Sequence, residues 1–314
     1  MEWITDHFVA LQQWVFEAAV QPLVYAVGLG GWGEDAFDAT GWLLIGLIEV
    51  LVLLAVIGPL QRWRPAEAVS DRHAIRTDVI YTLIHRLGVF RLAMFFLLQP
   101  VFDHGLGFLR SQGWGTLHID ELVPGVTDIP WVSFVMYVVV LDFVEYLIHR
   151  GQHRFEWWWS LHSLHHSQRQ MTMWSDNRNH LLDSILHDAI IVIVAQLIGV
   201  APGQFIALVM FTQLSESLQH ANLRLSFGRV GERLWVSPRF HRTHHRIAAA
   251  RGSNYGVLLP WWDILLRTGD FRATYEPTGI IDQVEPDAQG RVRDYGRGFW
   301  SQQWLGLRRI VGRG

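Results

Sequence analysis

No cysteine occurs anywhere in the 314-residue chain. That excludes disulfide staples, thiolate metal ligands, a cysteine nucleophile and a cysteine-ligated iron–sulfur cluster, so any bound metal must be held by nitrogen and oxygen. Lysine is absent as well: all 26 basic side chains are arginine, set against 29 acids for a net charge of −3. Such a balance offers nucleic acid no general attraction, and no nucleic-acid partner is expected. The N-terminus, MEWITDHFVALQQW, carries acids where a secretory signal carries basic residues, so it is expected to be retained.

What is present points to a bilayer. Half the residues are hydrophobic and 16 are tryptophan. Apolar segments near Leu11 to Leu29, Gly41 to Leu60 and Pro130 to Ile148 are about long enough to cross a ~30 Å hydrocarbon layer at ~1.5 Å per residue. Ile185 to Val200 and Gly203 to Leu218, joined by Ala201 and Pro202, read as a membrane hairpin. Asp78 to Pro100 is apolar but holds His85, Arg86 and Arg91, which suits a span with an inward polar face or a helix at the interface. Arg62, Arg64, Arg72 and Arg76 mark the following loop as cytoplasmic under the positive-inside rule. Gly28, Gly30 and Gly33 match the spacing of a dinucleotide fingerprint, but no strand–helix unit surrounds them and the stretch reads as a short acidic loop. The expectation is an all-α, integral-membrane helical bundle of four to six membrane segments with a cytoplasmic histidine-rich helical cap. Its divisions are membrane segments and loops over 1–129, a catalytic domain over 130–268 and a cytoplasmic tail over 269–314.

The chemistry concentrates in histidine. His149 and His153 stand four apart, so on a helix their imidazoles share one face. His162, His165 and His166 fall at i, i+3 and i+4, and His241, His244 and His245 repeat that spacing. Neutral imidazole suits zinc, copper, iron and nickel, so three such clusters indicate a transition-metal site. The helix ends bring these clusters and His220 to one side of the membrane. Asp142, Glu145 and Tyr146 precede His149 on the same helical face, and Glu216 precedes His220 by one turn; these four are candidates for orienting the ligands. His7, His73, His85, His104, His118 and His187 lie outside the clusters and read as ordinary hydrogen-bonded residues.

HRGQH, HSLHH and HRTHH, with Asp142 and Tyr146 before the first, Trp159 before the second, and NYG and WD at 254–256 and 262–263, resemble the boxes of the fatty acid hydroxylase/sterol desaturase superfamily. The resemblance covers roughly Pro130 to Thr268. It implies a non-haem di-iron oxygenase, with two Fe ions held by His149, His153, His162, His165, His166, His180, His220, His241, His244 and His245, and O2 as co-substrate. Zinc is a possible substitute metal. It also implies hydroxylation or desaturation of a lipid drawn from the bilayer, such as a fatty acyl chain or sterol. Electrons would come from a separate donor protein, cytochrome b5-like or a ferredoxin with its reductase, because the chain has no cysteine for a cluster and no nucleotide fold. The active site is expected on the cytoplasmic face of the inner membrane in a bacterium, or of the endoplasmic reticulum in a eukaryote. Two other readings compete: a zinc-dependent membrane hydrolase, which an absent HExxH disfavours, and a non-enzymatic haem- or metal-binding membrane protein.

Overall fold

The computed structural model describes residues 2–247 and 252–312, and among these every regular element is helical; Arg246 and Thr278 form a lone antiparallel bridge. Glu2–Val15 (α1) leads through a π-type turn into Gln21–Ala26 (α2). Gly33–Val52 (α3) carries Glu34 and Asp35 in its first turn, where carboxylates complement the helix dipole. A second π-type turn, Leu53–Ile57, continues it into Gly58–Trp63 (α4), so that one 34-residue rod runs from Gly30 to Trp63. Among the described residues, Pro130–Arg154 (α7) is the other helix long and apolar enough to cross a membrane. Leu51, Leu54 and Val56 on the first rod and Trp131 and Val135 on α7 face outward without protein cover.

Two sequence expectations need correction. The acidic loop expected after Gly28 is mostly helix, because the chain turns only at Gly28 (φ 76°) and α3 has begun by Gly33. Its first turns pack on α1, where Gln12 Nε2 donates to the Phe37 carbonyl at 2.8 Å. The segment Asp78 to Pro100 is divided between Arg72–Arg86 (α5) and Val89–Ser111 (α6), broken at Gly88 with φ 83°, a conformation that favours glycine. Helix α6 then continues past Pro100 and ends only at Ser111.

Arg86, the last residue of α5, fixes how that helix packs. Its guanidinium is buried, paired with Glu49 of α3 at 2.8 Å and Asp176 at 2.9 Å, and it donates to Ser217 Oγ at 2.9 Å and the Gln213 carbonyl at 3.0 Å. Those last two residues belong to Pro202–His220 (α10), which forms a hairpin with Leu181–Leu197 (α9). Arg86 thus ties α3, α5, α10 and the segment after the second histidine box together. Close approach is enforced on the other side by Gly46, where an added Cβ would lie 1.6 Å from the Arg86 carbonyl oxygen. Gly46→Ala therefore separates α3 from α5; a loss of ~3 kcal/mol or more is expected in a thermal or denaturant melt of the detergent-solubilised protein.

Above the bundle sit Glu156–His166 (α8), Gly228–Leu234 (α11), Pro238–His244 (α12), Trp261–Leu265 (α13) and Phe299–Ile310 (α14). Residues 167–180 have no helix, yet most are buried. Side chains supply the partners that regular structure does not: Gln170 Oε1 accepts from the Ser70 and Asp71 amides at 3.0 and 3.1 Å, and Asn222 Oδ1 from those of Ala66 and Glu67 at 3.0 and 2.9 Å. The tail helix α14 is docked on α8, with Arg309 Nε donating to the Ser160 carbonyl at 3.0 Å.

Candidate metal centre

Phe155 is extended (φ −95°, ψ 122°) and breaks the chain sharply between α7 and α8. Through that break the last turns of α7 face the last turns of α8. His149, His153, His162 and His166 form one group of converging nitrogens. His165, His220, His241 and His245 form a second, built from the ends of α8, α10 and α12. His166, His244 and His245 join the two. Every residue in these groups is buried.

The hydrogen bonds show which nitrogens are free to coordinate. Nδ1 of His149, His220 and His244 donates to the carbonyls of Tyr255, Glu216 and Ser253 at 2.9, 2.8 and 2.7 Å. That fixes the tautomer and turns each Nε2 lone pair inward. There His220 Nε2 lies 3.1 Å from His165 Nε2 and 3.0 Å from His241 Nε2, which is 3.1 Å from His245 Nε2. His244 Nε2 meets His166 Nε2 at 3.1 Å. Several imidazole nitrogens converging this closely need a cation among them, since one proton serves only one pair. Ligands ~2.1 Å from one ion and at right angles stand ~3.0 Å apart, so the donor set fits a metal. His162 makes the same point: Nδ1 is committed to Asp183, and buried Nε2 has no hydrogen bond.

Burial keeps these rings neutral and able to coordinate. It pushes His244 down to about 3 and, helped by the neighbouring imidazoles, holds His165, His166, His241 and His245 well below the usual histidine range. The linkage sign follows. Below ~6.5 the unfolded chain takes up protons that the folded, metal-free chain refuses, so stability is present above that pH and lost as pH falls. The metal-free protein is expected to melt at a progressively lower temperature from pH 7 to pH 5; an unchanged or rising melting temperature contradicts the burial argument.

Asp183 escaped sequence reasoning. It accepts from His162 Nδ1 at 3.0 Å, Gln152 Nε2 at 2.8 Å and Trp158 Nε1 at 2.7 Å, locking the ring of one candidate ligand and the turn that carries it. Asp183→Ala is expected to weaken metal binding ~10–100-fold, read by competition with a chromophoric chelator.

The other sequence candidates fall elsewhere. His180 is not brought to the groups: it caps α9, accepting from the Leu182 amide through Nδ1 at 3.1 Å and donating through Nε2 to the Gln303 carbonyl of α14 at 2.9 Å. Both ring nitrogens are thereby used. Asp142 accepts from the Leu258 and Leu259 amides at 2.7 and 3.1 Å and from Trp262 Nε1 at 2.8 Å, anchoring the loop whose Tyr255 carbonyl orients His149. Tyr146 bonds Thr268 Oγ1 at 3.0 Å, and Glu145 pairs with His187 at 2.5 Å. The side chain of Glu216 faces a cavity of about 430 Å³ whose wall includes His149, His162, His165, His220 and His241.

Residues 134–268 match the family model described as fatty acid hydroxylase. The ornithine lipid hydroxylase OlsE of Rhizobium tropici is 27% identical over 259 residues, 79% of this chain and 73% of the relative. An alkylglycerol monooxygenase of Caenorhabditis elegans is 28% identical over 165 residues, 51% of this chain and 31% of the relative. The fatty acid hydroxylase vlmA of Lecanicillium sp is 24% identical over 164 residues, 48% and 45% of the two chains. No solved structure matches the chain. The matched segment holds all three histidine boxes as well as Asp183 and His220, and residues 134–268 are a domain of the fatty acid hydroxylase family, a family of oxidoreductases.

Proposed function

We propose that this protein is a membrane-bound di-iron oxygenase that uses O2 and externally supplied electrons to hydroxylate a lipid. The observation that carries the reading is the cavity: five of the clustered histidines form part of its wall, and Leu141, Ile191, Phe205 and Leu208 form part of the rest. A metal site opening on a partly apolar chamber suits a hydrocarbon substrate rather than a water-soluble one. Iron pairs in such ligand sets supply the oxidising power needed to attack an unactivated C–H bond. The chain's own part is to hold the nitrogens in place, keep them unprotonated and enclose the reacting carbon. His149, His153, His162 and His166 would hold one ion, His165, His220, His241 and His245 the other, with His244 between them.

The relatives are named hydroxylases and a monooxygenase, which favours hydroxylation over desaturation, and ornithine lipids, alkylglycerols and fatty acids are the substrate classes their names suggest. The rod from Gly30 to Trp63, α7, the α9–α10 hairpin and the N-terminal and α5–α6 segments together make the four to six membrane segments of this reading. In this reading the histidines lie on the cytoplasmic side, which the arginines after Trp63 favour. A cytochrome b5-like or ferredoxin-type protein would deliver electrons there. The test is isotopic: iron-loaded protein with reductant, lipid extract and 18O2 is expected to yield a lipid heavier by one 18O atom. Product oxygen drawn from water instead would identify a hydrolase and defeat the proposal.

A further inference from the structure

The cavity wall is only partly apolar. Six carboxyl groups line it, those of Asp142, Glu145, Asp176, Asp183, Asp188 and Glu216, against two guanidinium groups, Arg86 and Arg91. Most have partners. Asp142 and Asp183 are hydrogen-bonded as described, Arg86 is matched by Glu49 and Asp176, and His187 lies between Glu145 at 2.5 Å and Asp188 at 3.0 Å.

Of the wall groups still lacking a full set of partners, which include His85 Nε2, three are of the kind a charged headgroup engages. No hydrogen bond or ion pair satisfies the Glu216 side chain among the described residues. Gln219, one turn further along the same face of α10, is 2% exposed; its amide nitrogen is spent on the Val257 carbonyl at 2.8 Å, and its Oε1 has no partner. Arg91 pairs with no carboxylate among the described residues and lies over the Trp42 ring at 3.7 Å. An alkyl chain or a neutral glyceride seated against them would displace water and leave all three without a partner. Glu216 and Gln219 Oε1 are both acceptors, a pairing that suits a donor-only group such as an ammonium.

We propose that this part of the cavity is a headgroup subsite for a zwitterionic, amine-bearing lipid. Its ammonium sits on Glu216 and Gln219 Oε1, and its anionic oxygen, from a carboxylate or a phosphate, meets Arg91. The inference rests on the lipid-oxidation reading of the same cavity and narrows its substrate class. Glu216 and Gln219 precede His220 on α10 by four residues and by one, so such a headgroup lies beside the histidines and not at the distant end of the substrate.

Equilibrium binding to the full-length, metal-loaded protein in maltoside micelles, without reductant, tests this. Nα-dodecanoyl-lysine is expected to bind at least about tenfold tighter than Nα-dodecanoyl-glycine, which keeps the carboxylate and lacks the side-chain amine. In Glu216→Gln that ratio collapses to within about threefold, with bound metal and melting temperature unchanged. Arg91→Met weakens both amphiphiles by similar factors. Comparing the lysine amphiphile with dodecylphosphoethanolamine shows whether carboxylate or phosphate is the preferred anion. Equal binding of the lysine and glycine compounds to the wild-type protein overturns the proposal whatever the variants do, as does a ratio that survives in Glu216→Gln. Because no oxygen chemistry is read, loss of this preference with 18O incorporation intact defeats the headgroup subsite alone, and the reverse result defeats the oxygenase reading alone.

Discussion

Replacing His165 or His244 by alanine is expected to abolish lipid oxidation, by at least ~10³-fold, while the protein still inserts in the membrane. His165 belongs to the second histidine group, and His244 to the set that links the two. Each contributes a nitrogen whose neighbours stand within about one ligand–ligand spacing, so neither position has a substitute nearby. Bound metal, counted per chain after purification, is expected to fall in both variants. The contrast with Asp183→Ala is informative: that change leaves every coordinating nitrogen in place and removes only the acceptor that aims His162, so metal is weakened rather than lost. Unaltered metal content in both alanine variants would mean that these rings pack without coordinating.

The second large effect is structural. Arg86→Met removes the guanidinium that lies between Glu49 and Asp176, two buried carboxylates on separate elements, and leaves the Ser217 hydroxyl and Gln213 carbonyl without their shared donor. Breaking a buried ion pair by deleting one partner costs ~3–5 kcal/mol, because the remaining charge stays buried and unmatched. A loss of that size in a reversible unfolding titration is expected, together with reduced yield of folded protein. Replacing all three groups by apolar residues is predicted to recover much of the loss. Since α10 ends in His220, the damage is also expected to reach the second histidine group and lower its metal affinity.

These cases show what the amino-acid order makes visible. Spacing within one helix is a local property, so the three boxes and the shared face of His149 and His153 could be read before any tertiary structure was known. Position on a face does not settle what a side chain touches. Glu145 and Tyr146 flank the first box as expected, yet one reaches His187, 42 residues later, and the other Thr268, 122 residues later. His180 shows the converse. The family resemblance implied a ligand there, but the tail helix supplies a carbonyl from 123 residues away and the start of α9 takes its other nitrogen. Asp183 carried one local sign, an acid in the first turn of a helix, which ordinarily reads as a dipole partner. Its role depends on α9 packing against the α7–α8 break, which no periodicity encodes. The break between α5 and α6 was hidden in the same way: an apolar run with His85, Arg86 and Arg91 inside it gave no length signal, and the division depends on one glycine at positive φ and one buried arginine.

The central claim is that two metal ions sit among nine buried histidines at the floor of a lipid chamber. Elemental analysis of protein purified without chelators and loaded anaerobically with ferrous iron tests it most directly. Two iron ions per chain are predicted, falling to about one or fewer in His165→Ala; a single ion per chain, or none, would contradict the account.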